Sequence, residues 1–90
     1  MINVGIIGAG RIGKVHCESI MRYVKSATVK AIADPFLNDE TKEWAKGLVV
    51  NEFYTDYHKI LEDKDIQAVL ICSSTDTHST ISLEAIAAGK

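Results

Sequence analysis

Three glycines and one aspartate near the N-terminus have the types and the spacing needed to hold a phosphate-bearing ligand. Gly8, Gly10 and Gly13 form the pattern G-x-G-x-x-G, and an aspartate, Asp34, lies 21 residues beyond the last of them. Such glycines allow a sharp turn and a close approach of a pyrophosphate to the backbone, while the acid can accept hydrogen bonds from a ribose diol. The combination predicts a dinucleotide-binding site.

The aspartate also bears on which dinucleotide binds. Its charge repels the 2′-phosphate of NADP, and residues 35–38 (Pro-Phe-Leu-Asn) provide no arginine or lysine to hold that phosphate. The sequence therefore favours NAD. Two structural alternatives stay open: the glycines also suit an ordinary strand-to-helix turn, and an aspartate before a proline also serves as a turn or cap residue.

The glycine motif needs a strand before it and a helix after it. Residues 2–7 predict a strand, a helical pattern runs from the glycines to about residue 24, and residues 28–33 predict a second strand that ends at Asp34. The acid is therefore expected at the carboxyl edge of a sheet. This context makes the motif far more specific than glycine spacing alone.

The next part of the chain continues the alternation of helix and strand. A second helix is predicted with Asn38 or Asp39 as its cap, running through residue 46, with Gly47 as its C-terminal stop. A short third strand is predicted over residues 49–54.

The last part predicts two more helices around an apolar strand. One helix covers residues 57–62 with Thr55 or Asp56 as its cap, and residues 68–72 predict a strand buried on both faces. Residues 73–77 predict a loop and cap for a last helix from about residue 78 to residue 88, which the following glycine ends.

These elements predict an α/β fold, the first half of a Rossmann-type parallel sheet with flanking helices. Right-handed crossovers imply the strand order 3-2-1-4, with the switch point between strands one and four. The loops at residues 8–13 and 73–78 meet there. Hydroxyls of the second loop can contact a ribose or the nicotinamide side of the cofactor, and helix capping is the alternative for each of them.

Composition excludes several classes of function. The formal charge of −2 gives no basic surface for nucleic acid, and no apolar run approaches the roughly 20 residues that span a membrane. Cys17 and Cys72 are expected to be packing residues, and the three histidines show no metal-ligand spacing. We therefore expect a cytoplasmic protein without a metal, a membrane partner or a secretory signal.

Three blocks of sequence carry a resemblance to a known family. Residues 5–16 (Gly-Ile-Ile-Gly-Ala-Gly-Arg-Ile-Gly-Lys-Val-His), residues 31–35 (Ala-Ile-Ala-Asp-Pro), and the closing segments 68–78 and 84–90 resemble the glucose–fructose oxidoreductase and inositol dehydrogenase (Gfo/Idh/MocA) family. Inositol 2-dehydrogenases are the branch that looks most similar. The resemblance covers nearly the whole chain and is weakest over residues 38–51.

The resemblance implies hydride transfer between a sugar or cyclitol hydroxyl and NAD, with a small polyol as substrate. It implies that the pyrophosphate is held by the backbone of Gly8, Gly10, Arg11, Ile12 and Gly13. It also implies that Asp34 takes the adenosine ribose and that four residues lie toward the nicotinamide: Ser73, Ser74, Thr75 and His78. Many relatives have an asparagine shortly before the matched histidine, where this sequence has Thr75-Asp76-Thr77.

The resemblance also implies that catalysis needs further segments. In relatives a fifth strand with a catalytic lysine follows the match to Lys90, and then a larger substrate domain. Residues 1–90 are thus expected to be the N-terminal part of a dinucleotide-binding domain, truncated before strand five, with no catalytic residue of its own and inactive alone. Lys90 is expected to be solvated. The exposed edge of the strand ending at Cys72 predicts self-association, and the full-length protein is expected to be a homo-oligomer.

Two other classes of function remain open at this point. One is a stand-alone nucleotide-binding or NAD-sensing module without catalysis. The other is a methyltransferase-like domain, which also has a glycine loop after its first strand and an acid after its second. The third glycine at the start of a helix, Gly13, and the Ala-Asp-Pro ending of the second strand favour the dinucleotide.

Overall fold

A computed structural model describes residues 2–50, 52–72 and 75–90, with the side chains of the last helix described from residue 80 onward. Its elements in chain order are β1 (Ile2–Ile7), α1 (Arg11–Tyr23), β2 (Ala27–Ala33), α2 (Asp39–Lys46), β3 (Glu52–Tyr54), α3 (His58–Glu62), β4 (Ala68–Ile71) and α4 (Thr75–Ala87). The strands pair in parallel in the order β3-β2-β1-β4, so the predicted fold and strand order are confirmed. Within the described ranges, every helix is too short or too polar to cross a membrane.

Helices cover both faces of the sheet, and β1 supplies both halves of the core. Successive side chains of a strand point to opposite faces, so its last two isoleucines separate. Ile6 packs in one buried cluster with Cys17 of α1. Ile7 packs in the other with Ile60 of α3 and Ile81 of α4. Because all strands pair in parallel, their carboxyl ends lie along one edge of the sheet.

α2 has the predicted caps at both ends, with Gly47 as its C-cap residue, and only the turn that follows differs from the prediction. Asn38 caps the helix as predicted, since its Oδ1 accepts a hydrogen bond of 2.8 Å from the Thr41 N–H, and the helix ends at Lys46. Gly47 is right-handed, with φ of −63°, and the left-handed residue is Val49, with φ of 66°. This turn delays β3 to Glu52, so the predicted start of the strand at residue 49 is wrong.

The starts of α3 and α4 also shift. α3 begins at His58 with Tyr57 as its N-cap residue, so the predicted start at residue 57 and the predicted cap at Thr55 or Asp56 are wrong by one or two residues. Asp56 still contributes, because its Oδ1 accepts a hydrogen bond of 2.9 Å from the backbone N–H of His58. α4 begins at Thr75, and the predicted start near residue 78 is therefore wrong. The first turn of a helix has backbone N–H groups without intrahelical partners, so hydroxyl and carboxylate residues are accommodated inside it.

Two expectations near the end of the chain are wrong. All four residues of β4 are only half-buried, because β4 is one of the two edge strands and lacks a neighbour on one side among the described residues. Lys90 is not a solvated residue: it is half-buried, and its Nζ donates to the carbonyl oxygens of Asp63 and Ile66, each at 2.5 Å. The lysine thereby ties the end of α4 to the turn that precedes β4.

Candidate dinucleotide site

Two of the motif glycines are required by the backbone itself. Gly8 has φ of 101°, which L side chains rarely adopt, and its N–H donates to the Ala33 carbonyl at 2.7 Å. A Cβ on Gly13 would collide with the carbonyl oxygen of Gly8 and lie 3.6 Å from the Cβ of Cys72. The first turn of α1 therefore packs directly on the loop, as the glycine spacing predicts.

Gly10 has a different environment. Its φ of −74° is open to any residue, and a Cβ there would meet nothing within 4 Å. It is also the N-cap residue of α1, which has no side-chain cap and no acid in its first turn. The N–H groups and the positive dipole end of the helix thus face an open approach, and the loop fits the pyrophosphate of a dinucleotide.

Asp34 joins the glycine loop to the turn after β2. Its Oδ2 accepts a hydrogen bond from the Ala9 N–H and its Oδ1 accepts one from the Phe36 N–H, both at 2.7 Å. Asp34 therefore caps the turn that it begins, which is the alternative role that an aspartate before a proline suggests. It also lies beside the glycine loop. An ionised carboxylate has about four acceptor positions, so two remain for the hydroxyls of a ribose.

A cavity of about 420 Å³ opens at this edge of the sheet. Loop glycines, the ends of β1 and β2, the residue before α3 and one residue of α4 form its walls, which are lined by Ile7, Gly8, Gly10, Ala33, Asp34, Pro35, Phe36, Tyr57, Cys72 and Ile81. The structure thus brings Gly8, Gly10 and Asp34 together. The other predicted residues of the loop lie beside the cavity, with Arg11 and Ile12 exposed on α1 and Gly13 buried beneath the loop.

The second predicted loop is only partly described. Ser73 and Ser74 lie outside the described residues, and Thr75 and His78 are described only as backbone within α4. The contacts predicted for these four side chains therefore stay predictions.

Two aromatic residues of the cavity wall were missed as site residues. Tyr57 lies in a predicted helix, where an aromatic residue ordinarily contributes to packing, and the sequence distinguishes Phe36 only as part of a segment that lacks a positive charge. The Tyr57 hydroxyl donates to Glu84 Oε1 at 2.7 Å, which fixes the ring between α3 and α4. For Phe36, its position directly after the Asp-Pro pair at the end of a predicted strand is the feature of the sequence that could have indicated a place in the site.

The cysteines serve packing, as predicted. Cys17 is fully buried, and burial raises the pKa of its thiol to about 11, with the neighbouring Glu18 adding to the shift. Burial also raises the pKa of Cys72, which is half-buried at the cavity wall. Both thiols are protonated at neutral pH, and a protonated thiol is a poor nucleophile.

Comparison with known families identifies the class of protein that this fold and site define. The model of an oxidoreductase family with an NAD-binding Rossmann fold, the Gfo/Idh/MocA family, matches residues 2–90. The chain belongs to this family, and its cofactor is NAD.

Among individual relatives, inositol dehydrogenases recur. The chain is 40% identical over 80 residues to myo-inositol 2-dehydrogenase of Thermotoga maritima, covering 89% of this chain and 23% of the relative. It is 38% identical over 91 residues to inositol 2-dehydrogenase of Klebsiella pneumoniae, covering 99% of this chain and 26% of the relative. The chain thus spans about a quarter of the length of these relatives.

Solved structures with a similar fold also include inositol dehydrogenases. Scyllo-inositol dehydrogenase from Lactobacillus casei, solved with NAD(H) and scyllo-inositol, superposes with a TM-score of 0.89 at 33% identity, covering all of this chain and 26% of that one. Myo-inositol dehydrogenase from the same species, solved with NAD(H) and myo-inositol, gives a TM-score of 0.83 at 30% identity, covering 97% and 26%.

Proposed function

We propose that this chain is the cofactor-binding part of a dehydrogenase that transfers hydride between a ring hydroxyl of an inositol-like polyol and NAD. The observation that carries the proposal is the hydrogen bond from the Ala9 N–H to Asp34 Oδ2, which unites the glycine loop and the acid at one cavity. Similarity to inositol dehydrogenases solved with NAD(H) supports the class of substrate. When bound, NAD supplies the hydride acceptor, and the residues of this chain hold and orient it.

The proposed roles follow the course of the dinucleotide. The pyrophosphate is held by backbone groups of Gly8, Gly10, Arg11, Ile12 and Gly13, and Asp34 accepts hydrogen bonds from the adenosine ribose. Four residues at the start of α4 and just before it extend toward the nicotinamide: Ser73, Ser74, Thr75 and His78. The open space at Gly10 and the uncapped start of α1 support the first assignment.

We also propose that residues 1–90 are one part of the dinucleotide-binding domain, that alone they are catalytically inactive, and that the full-length enzyme is a cytoplasmic homo-oligomer. The match to about a quarter of each relative supports the first two points. The half-exposed edge strand β4 and the exposed Leu83 and Ile86 of α4 support association of residues 1–90 when they are produced alone.

Replacing Asp34 tests the assignment of the ribose site. In the full-length protein, Asp34→Ala removes a charged acceptor and the repulsion of a 2′-phosphate. We expect NAD to bind about tenfold more weakly, and NADP to gain relative to NAD. Calorimetric titration with both cofactors measures the change. Asp39→Ala, which removes an exposed carboxylate of α2, is the control. If Asp34→Ala leaves the ratio of the NAD and NADP affinities unchanged, the proposed role of Asp34 as ribose ligand is contradicted.

The substrate class is tested separately. The full-length protein is mixed with NAD and, in turn, with myo-inositol, scyllo-inositol and an acyclic polyol, while NADH absorbance is followed. Reduction of NAD with a cyclitol and little with the acyclic polyol is expected. Tight NAD binding without reduction by any polyol contradicts the substrate assignment, whereas absence of NAD binding contradicts the cofactor site itself.

A further inference from the structure

One wall of the cavity is held in place by a charged side chain of α4. Tyr57, the residue before α3, lines the cavity, and its hydroxyl donates to Glu84 Oε1 at 2.7 Å. The other oxygen of the same carboxylate, Glu84 Oε2, lies 2.5 Å from Nε2 of His58. The rings of Tyr57 and His58 also stack, with centroids 4.2 Å apart. Glu84 therefore fixes both the wall residue and the histidine beside it.

The histidine contacts a second carboxylate on its other side. Its Nδ1 lies 2.6 Å from Asp56 Oδ1, in the turn before α3. We call this arrangement of Asp56, His58 and Glu84 the His58 bridge. Among the described residues, these two carboxylates and the Tyr57 ring are the titratable groups that face the imidazole. The His58 side chain is 50% exposed, so it exchanges protons directly with solvent.

The His58 bridge needs a proton on each ring nitrogen. Both nitrogens donate in the imidazolium, whereas a neutral imidazole has one donor and turns a lone pair toward the second carboxylate. The hydrogen bond to Asp56, followed by that to Glu84, raises the pKa of His58. The bridge is therefore complete below the ordinary value of about 6.5 and is lost as pH rises through the raised value.

Loss of this proton has two effects on a ligand in the cavity, and both have the same sign. The protonated bridge carries one net negative charge and the neutral bridge carries two, which disfavours a ligand with a negatively charged diphosphate nearby. The neutral bridge also holds the Tyr57 wall less firmly, so that binding has to order it. Both effects weaken the binding of an anionic ligand as pH rises.

We propose that His58 is a positioning residue that couples NAD binding to the uptake of a proton, because the protonated bridge fixes the Tyr57 wall and the neutral bridge releases it. The proposal goes beyond the proposed function but rests on it, since NAD must occupy this cavity. By reciprocity, bound NAD favours protonation of His58 as much as protonation favours NAD. The affinity for NAD therefore rises as pH falls through the interval in which His58 titrates.

The test is calorimetric titration of the full-length protein with NAD from about pH 6 to about pH 9, in two buffers with different enthalpies of ionisation, which reveals the protons taken up. The wild type is expected to lose about threefold in NAD affinity over this range, since exposed charge pairs contribute modestly, and to take up a fraction of a proton within it. His58→Gln, whose amide does not titrate, should remove both effects. His16→Gln, at an exposed histidine of α1, is the matched control and should retain both.

A second measurement is NMR titration of the His58 imidazole in the wild type, with and without NAD. Bound NAD should raise the pKa of His58, and an unchanged pKa would overturn the proposal. The proposal is also overturned if wild-type affinity for NAD does not change with pH, or if His58→Gln keeps the pH dependence and proton uptake of the wild type, which would assign them to another group. A wild type that fails to bind NAD at every pH contradicts the proposed function instead, so the two failures are distinguishable.

Discussion

The glycines of the loop show how one residue type serves two separate purposes. At Gly13 a side chain is excluded by the backbone of the loop itself, whereas at Gly10 a Cβ would meet nothing within 4 Å and only the proposed pyrophosphate would exclude it. The first requirement belongs to folding and the second to binding. Alanine substitutions at the two positions are therefore expected to have opposite signatures.

Gly13→Ala is expected to lower the free energy of unfolding by about 1–3 kcal/mol, because the added methyl group displaces α1 from the loop. Gly10→Ala should leave stability nearly unchanged and weaken NAD binding, because its Cβ occupies the open approach to the loop. Thermal unfolding and NAD titration of both variants measure these effects. Equal loss of stability in the two variants would contradict the division of roles.

The part of the site that could be predicted from sequence consists of positions at which few residue types are possible. Gly8 and Asp34 could be placed from sequence because a left-handed turn and the proposed ribose ligand each admit few residues. The second bond of Asp34, to the loop at Ala9, could not, because it depends on how closely two segments distant in sequence approach. The exposure of Phe36 depends in the same way on what the rest of the chain leaves uncovered.

At the scale of elements, His58 links α3 to α4. Its Nδ1 lies 2.6 Å from Asp56 Oδ1 and its Nε2 lies 2.5 Å from Glu84 Oε2. The side-chain bond to Asp56, followed by that to Glu84, raises the pKa of His58. The hydrogen bond from the backbone N–H of His58, followed by the bond from its ring, lowers the pKa of Asp56. The imidazolium thus bridges two carboxylates, and the bridge is complete only while all three groups are charged.

The stability of this bridge should depend on pH. Because the folded pKa of His58 is raised, its contribution is fully present below the unfolded pKa of about 6.5 and is lost as pH rises through the folded value. We expect the protection of α3 amides in hydrogen exchange, corrected for intrinsic rates, to fall over that interval. His58→Gln should remove this dependence while His16→Gln, at an exposed histidine of α1, keeps it. If the amide protection of α3 in the wild type does not change with pH over this interval, the stabilising role of the His58 bridge is contradicted.

Local chemistry predicted some boundaries of the elements and tertiary packing decided others. The cap at Asn38 follows from an amide that can bond its own helix. The left-handed conformation of Val49 could not be predicted from sequence. A glycine is the residue expected to adopt it, and the nearest one, Gly47, lies two residues earlier. Val50 is fully buried and its N–H donates to the Ala45 carbonyl at 3.1 Å, which forces the preceding residue into the strained turn.

For the whole molecule, the outer strand is the feature with the largest consequence. β4 is half-exposed along its length, and Leu83 and Ile86 of the adjacent α4 are 69% and 72% exposed. We expect residues 1–90, produced as an isolated polypeptide, to self-associate across this region, because an unpaired apolar strand edge pairs readily with another chain.

Light scattering over a range of protein concentrations measures this association. Leu83→Lys/Ile86→Lys should shift the mass toward the monomer by adding charge beside the edge, whereas Tyr23→Lys on α1 should not. A monomer mass that does not change with concentration would contradict the prediction.

The overall topology was predictable because its rules are nearly without exception. Alternating strands and helices imply parallel pairing and right-handed crossovers, which leave the observed order β3-β2-β1-β4 as the expected one. Burial was less predictable: an apolar run such as residues 68–71 does not state whether its strand is central or outer. Lys90 likewise required knowledge of which carbonyl groups lay within its reach.

The carboxylate of Asp34 is shared by two backbone segments, the glycine loop through Ala9 and the turn through Phe36. A ligand fragment that orders one segment therefore reduces the conformational freedom that the other still has to lose. With NAD bound as proposed, we expect occupancy of the adenosine side and of the diphosphate side to be cooperative, and by reciprocity each fragment should increase the affinity of the other by the same factor. The intact dinucleotide would then gain a binding free energy that neither half reveals when measured separately.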